Sequence, residues 1–96
     1  MYSFFITSWT IFINWLHLPG HCPGSSMIYL PKESVIFSGD VLFNGSIGRF
    51  DFPNSSKHDT STSLNKIKEY DFDAIVFPGH GPATSLKQEQ ASNPYL

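Results

Sequence analysis

Apolar residues in this chain fall into short runs, each closed within a few positions by glycine or proline, and that pattern favours short strands over long elements. Thr10–Leu16 is β-branched and aromatic enough to form a strand, and Pro19-Gly20 and Pro23-Gly24 make residues 17–24 a loop. Ser26–Leu30 and Ser34–Ser38 are two further runs. Pro31-Lys32-Glu33 separates them, which reads as a hairpin. Residues 44–56, rich in Gly, Ser, Asn and Pro, read as a long surface loop. Leu64, Ile67 and Tyr70 recur at helical spacing among polar residues and predict an amphipathic helix over residues 59–70, with those three in the core and His58 and Asp59 capping its start. Asp73–Phe77 is a fourth run, broken by Pro78-Gly79, and Ser85 with Gln88 makes a capping-box pattern that opens a last helix. The order β, β-hairpin, loop, α, β, α is an α/β arrangement whose short strands need other layers to cover them.

Size and charge narrow the function. A chain of 96 residues makes at most one small domain with a modest core. The net charge of −2 and the lack of any basic run give no nucleic-acid footprint. One cysteine, Cys22, excludes an internal disulfide framework and fits a reducing compartment, so a cytoplasmic location is expected. Met1 to Trp15 carries no charge, yet it lacks the basic start and small-residue cleavage site of a signal peptide. Ser3, Thr7, Ser8, Thr10 and Asn14 interrupt it, so no membrane span is expected. It reads as a pair of buried strands, or as one strand behind an apolar leader over residues 1–10.

Three of the runs end alike. Thr10–Leu16 leads to Pro19-Gly20-His21, Ser34–Ser38 to Gly39-Asp40, and Asp73–Phe77 to Pro78-Gly79-His80-Gly81. In each, a run stops, a glycine permits a sharp turn, and a His or Asp follows. Strand ends on one edge of a sheet are rigid platforms for converging side chains. Two imidazoles and a carboxylate suit zinc, iron or manganese better than calcium or magnesium. Taken singly, each is better explained as a polar loop residue or a Gly-Asp turn. Taken together, their shared placement favours a metal site.

At these residues the chain resembles the metallo-β-lactamase superfamily. His17-Leu18-Pro19-Gly20-His21-Cys22-Pro23-Gly24-Ser25 is similar to H-T-P-G-H-T-P-G-S, and Phe37-Ser38-Gly39-Asp40-Val41-Leu42-Phe43 to F-S-G-D-T-L-F. Pro78-Gly79-His80-Gly81-Pro82-Ala83-Thr84 matches P-G-H-G-P-x-T, and Asn93-Pro94-Tyr95-Leu96 resembles N-P-F-L. Residues 45–53 are similar to the G-S-I-G-R-T-D-F-P loop of the branch related to hydroxyacylglutathione hydrolases (glyoxalase II). The resemblance runs from about residue 11 to the last residue. It implies that residues 11–96 form part of an αββα sandwich, its C-terminal half, with a two-metal site along one edge. His21 would bind the first metal, Asp40 would bridge both as the catalytic carboxylate, and His80 would bind the second. A hydroxide held by zinc (or iron or manganese) would attack a small-molecule thioester, and Arg49 would bind a carboxylate of the thiol. An ion pair of Arg49 with Asp51 or Asp40 that orders the loop is the other reading.

Departures from the family pattern matter as much. The H-x-H-x-D-H motif that supplies the remaining ligands is absent. The expectation is therefore an N-terminally truncated chain, inactive alone, whose partners are a missing N-terminal half or a second copy. A catalytically incompetent remnant is the alternative, as is an iron enzyme of persulfide dioxygenase type. The latter is disfavoured because its last ligand sits in a P-A-H-D turn, whereas Gly79 and Gly81 flank His80 here. His17 occupies a non-ligand position, and Cys22, where the family usually has threonine, reads as a small buried residue rather than a soft ligand.

Overall fold

The computed structural model describes residues 2–6 and 11–96, with side chains from residue 12 onward. Met1 and residues 7–10 of the expected leader lie outside the described residues. Strand β1 (Tyr2–Ile6) pairs antiparallel with β2 (Ile11–His17), so the apolar N-terminus contributes a strand pair to the sheet. β3 (Ser26–Leu30) and β4 (Val35–Gly39) form the hairpin expected around residues 31–33. Ser34 turns the chain there with φ of 55°. Helix α1 (Lys57–Glu69) then crosses to β7 (Ile75–Pro78), and the short β8 (Thr84–Ser85) leads into α2 (Leu86–Ser92).

Two expectations need correction. Residues 44–56 are not all loop: β5 (Leu42–Phe43) and β6 (Ser46–Ile47) make a small hairpin of their own. The cap of α1 is neither His58 nor Asp59 but Ser56, whose hydroxyl accepts from the Asp59 amide. The start of the apolar repeat hid a polar first turn. At α2 the expected cap is in place, with Ser85 accepting from the Gln88 amide at 3.2 Å.

The main sheet has the order β1-β2-β3-β4-β7-β8. β2 is antiparallel to β3, β3 to β4, and β4 parallel to β7. It follows that β2, β4 and β7 point the same way and finish on one edge. This is the geometric basis of the site.

The two faces of that sheet differ. Alternation turns Leu16, Met27, Tyr29, Ile36 and Val76 to one side, where Ile67 of α1 and Leu86 of α2 complete a buried core. Leu64 and Tyr70 pack at its margin. The other side carries Trp15, Ile28, Phe37, Ile75 and Phe77. There Trp15, Phe37, Ile75 and Phe77 are exposed, and the Phe37 and Phe77 rings stack at 5.9 Å. The apolar runs expected to be buried are thus buried on alternate residues only.

Candidate metal centre

The edge where β2, β4 and β7 end is built mainly by the backbone. Parallel pairing of β4 with β7 brings the two chains out side by side through a register shift after Phe37, and the Gly79 amide donates to the Gly39 carbonyl at 2.8 Å. Gly39 turns with φ of 52°, a conformation that favours glycine, and Asp40 leaves the sheet from that turn. His80 then stands beside it.

His21 arrives from farther away. Its loop hangs from the start of α1: the Ser56 amide donates to the Gly20 carbonyl, Ser55 Oγ to the His21 carbonyl, and Ser63 Oγ to the Pro19 carbonyl. The imidazole is then aimed by a hydrogen bond of 2.7 Å between Nδ1 and the Arg49 carbonyl oxygen. A carbonyl only accepts, so Nδ1 carries the proton, and in the neutral form of the ring that tautomer leaves the metal-binding lone pair on Nε2.

That lone pair faces Asp40. His21 Nε2 lies 3.4 Å from Asp40 Oδ2, and His80 Nε2 lies 3.3 Å from Asp40 Oδ1. Each imidazole therefore meets a different oxygen of the same carboxylate. Both separations exceed the roughly 2.7–2.9 Å of a short charge-assisted bond, so the scaffold, not mutual bonding, holds the trio together. Phe52 packs edge-on against His21, and Phe43 against His80. Among the described residues no three His, Cys, Asp or Glu side chains close around one point as a single-ion site. What the geometry offers is two half-sites, each of one imidazole nitrogen and one carboxylate oxygen, sharing Asp40. This donor chemistry fits a borderline ion such as zinc or iron, although either metal needs further ligands.

The remaining candidates fall outside the centre. Arg49 points away from Asp40 and grips Asp51 through Nε (3.0 Å) and Nη2 (3.1 Å), with its guanidinium over the Phe52 ring. That pair holds the Asp51 carboxyl below and the Arg49 guanidinium above their ordinary pKa ranges, chiefly through the side-chain hydrogen bond. Arg49 serves His21 through its backbone carbonyl. His17 bonds the Pro23 carbonyl and braces the loop, while Cys22 is half-buried beside Ser25 Oγ at 3.1 Å. Sequence reasoning missed Glu89 and Asn93, which are buried behind the centre. Nothing in local spacing distinguished them from the solvated face of a short helix.

The sheet edge thus gathers two histidines onto one aspartate in a mixed α/β chain. The match with the metallo-β-lactamase superfamily over residues 11–80 shows that the chain belongs to that superfamily. It is 44% identical over 82 residues to the hydroxyacylglutathione hydrolase GloC of Haemophilus influenzae, covering 84% of this chain and 39% of that protein. It is 40% identical over 82 residues to the probable metallo-hydrolase YqgX of Bacillus subtilis, again covering 84% of this chain and 39% of the relative. Among solved structures, the BLEG-1 B3 metallo-β-lactamase superposes with a TM-score of 0.85 at 42% identity, covering 97% of this chain and 44% of that one. TTHA1623 in a di-iron-bound form superposes with a TM-score of 0.81 at 43% identity, covering 88% and 42%. The chain thus spans about two fifths of the length of the curated relatives it matches. Among the described residues no helix is long and apolar enough to cross a membrane.

Proposed function

We propose that these 96 residues supply the metal-holding edge of a thioester hydrolase of hydroxyacylglutathione type, with ligands from outside them needed to complete it. The observation that carries this reading is the approach of His21 and His80 to opposite oxygens of Asp40. Identity to GloC supports the thioester substrate, and the di-iron form of TTHA1623 supports a pair of transition-metal ions, iron among them. When bound, such ions polarise a carbonyl and lower the pKa of a water.

The chain's own groups do the arranging. Asp40 offers one oxygen to each side, and the Arg49 carbonyl keeps the His21 lone pair directed inward. Phe43 and Phe52 wall the imidazoles. A carboxylate of the thiol is proposed to take the Arg49 guanidinium from Asp51. In the completed enzyme Arg49→Ala is expected to raise KM with little change in kcat.

Two donors per half-site fall short of the four that zinc prefers, and the Trp15–Phe37–Phe77 face calls for a covering layer. The covering segment is proposed to correspond to the part of GloC that this chain does not match, bringing both the missing ligands and an apolar surface. The test mixes the purified 96-residue chain with that GloC segment, zinc or iron, and a lactoylglutathione-type thioester. The expected result is metal-dependent thioester cleavage by the mixture and none above background by the chain alone. Robust cleavage by the chain alone would overturn the need for a partner. Hydrolysis of a β-lactam, or oxygen uptake, in place of thioester cleavage would overturn the substrate class.

A further inference from the structure

Glu89 is 1% exposed and lies outside the His21–Asp40–His80 trio. A carboxylate so deeply buried is costly unless donors replace its water. Three do. The Gly45 amide and Asn93 Nδ2 each donate to Oε1 at 2.9 Å, and Thr84 Oγ1 donates to Oε2 at 2.6 Å. Burial alone would raise its pKa, but the bonds from Thr84, Gly45 and Asn93 outweigh it and hold the carboxyl below the usual range. The group is therefore an ionised acceptor surrounded by neutral donors.

Those donors lie on the two return paths from the centre. The chain leaving Asp40 forms the β5–β6 hairpin, and Gly45 is its turn. The chain leaving His80 reaches β8, which begins with Thr84. Asn93, at the end of α2, also donates to the Ser46 carbonyl at 3.0 Å, and Asn44 Nδ2 donates to the Ala83 carbonyl at 3.3 Å. One carboxylate thus ties the segment behind Asp40 to the segment behind His80.

We propose that Glu89 is a positioning residue: by clamping the β5–β6 turn to β8, it holds the Asp40 and His80 turns at the separation a shared metal pair needs. The consequence for metal rests on the function proposed above, whereas the clamp itself does not. Gly79, whose amide bonds the Gly39 carbonyl between the two turns, reports on their separation.

Amide hydrogen exchange on the full 96-residue chain tests the clamp. Glu89→Ala is expected to speed exchange at Gly45 and Gly79 about tenfold relative to the β3–β4 ladder, the scale set by losing a hydrogen bond to a charged group. Glu89→Gln should restore most of that protection, because its oxygen still accepts from Gly45 and Asn93 and its amide can donate to Thr84 Oγ1. If Glu89→Ala fails to fold, Thr84→Val removes one donor only and should show the same pattern more weakly. Unchanged Gly79 exchange, or uniform acceleration of every amide, would overturn the proposal. Cobalt(II) titration of wild type and variants reads the consequence, with weaker binding expected for Glu89→Ala and recovery for Glu89→Gln. If wild type binds no cobalt even with the GloC segment present, the metal reading falls, while the exchange result still decides the clamp.

Discussion

A methyl group added at Gly48 would run into the Asp40 carbonyl oxygen and lie 3.2 Å from His21 Nδ1. Gly48→Ala must therefore push the loop outward, and with it the Arg49 carbonyl that aims His21. Overpacking of this kind costs about 1–3 kcal/mol, and metal affinity is expected to fall further than the melting temperature suggests; calorimetry against cobalt titration would show the split. Glu89 makes a different prediction. Its carboxyl titrates lower in the folded chain than the roughly 4.3 of a free glutamate. The unfolded chain thus binds its proton more readily, so the stabilisation is complete above that value and is lost as pH falls through the lower, folded one. The urea-midpoint gap between wild type and Glu89→Gln should therefore narrow as pH falls from neutral through the ordinary glutamate range and below it. A constant gap would mean that Glu89 is not ionised. The Arg49–Asp51 pair is fully exposed, and its loss should leave the midpoint almost unmoved.

Helix α1 illustrates how an element serves a site it does not enter. Its N-terminal half and the two residues before it hold the loop that carries His21, through Ser55, Ser56 and Ser63, while Ile67 anchors its other end in the core at 0% exposure. Removing the cap with Ser56→Ala should cost about 1 kcal/mol, and emptying the core with Ile67→Ala about 2–5 kcal/mol. Thermal denaturation measures both. The cap variant should also loosen the His21 loop, seen as faster exchange of the Ser56 amide, which bonds the Gly20 carbonyl. The strands β2, β4 and β7 play the complementary part, since their common direction puts three otherwise distant residues on one edge.

For the molecule as a whole, the unequal faces of the sheet set its behaviour. One is sealed by α1 and α2, and the other shows Trp15, Phe37, Ile75 and Phe77. A purified chain with such a face should self-associate at micromolar concentration, as read by sedimentation velocity. Replacing Phe37 and Phe77 with serine should reduce that association and abolish complementation by the GloC segment. Unfolding free energy should shift by little more than about 0.5 kcal/mol, because both rings are half exposed. Undiminished association of the double variant would place the contact elsewhere.

The glycine-punctuated runs carried the α/β character, the β3–β4 hairpin and both helices. The residues at the run ends were enough to single out His21, Asp40 and His80, because turn chemistry and apolar periodicity are local properties that neighbours in sequence express. The one-sided burial of the strands depends on what lies across the sheet, whereas the Ser56 cap and the β5–β6 hairpin are local features hidden by the polar sequence around them. Glu89 and Asn93 are the clearest case. On a short polar helix they look solvated, and only packing of that helix behind the β5–β6 turn removes their water and obliges them to find partners. Which oxygen of Asp40 each histidine meets was likewise decided by tertiary structure, since it depends on strand direction, register and the hydrogen bonds that hang one loop from a distant helix.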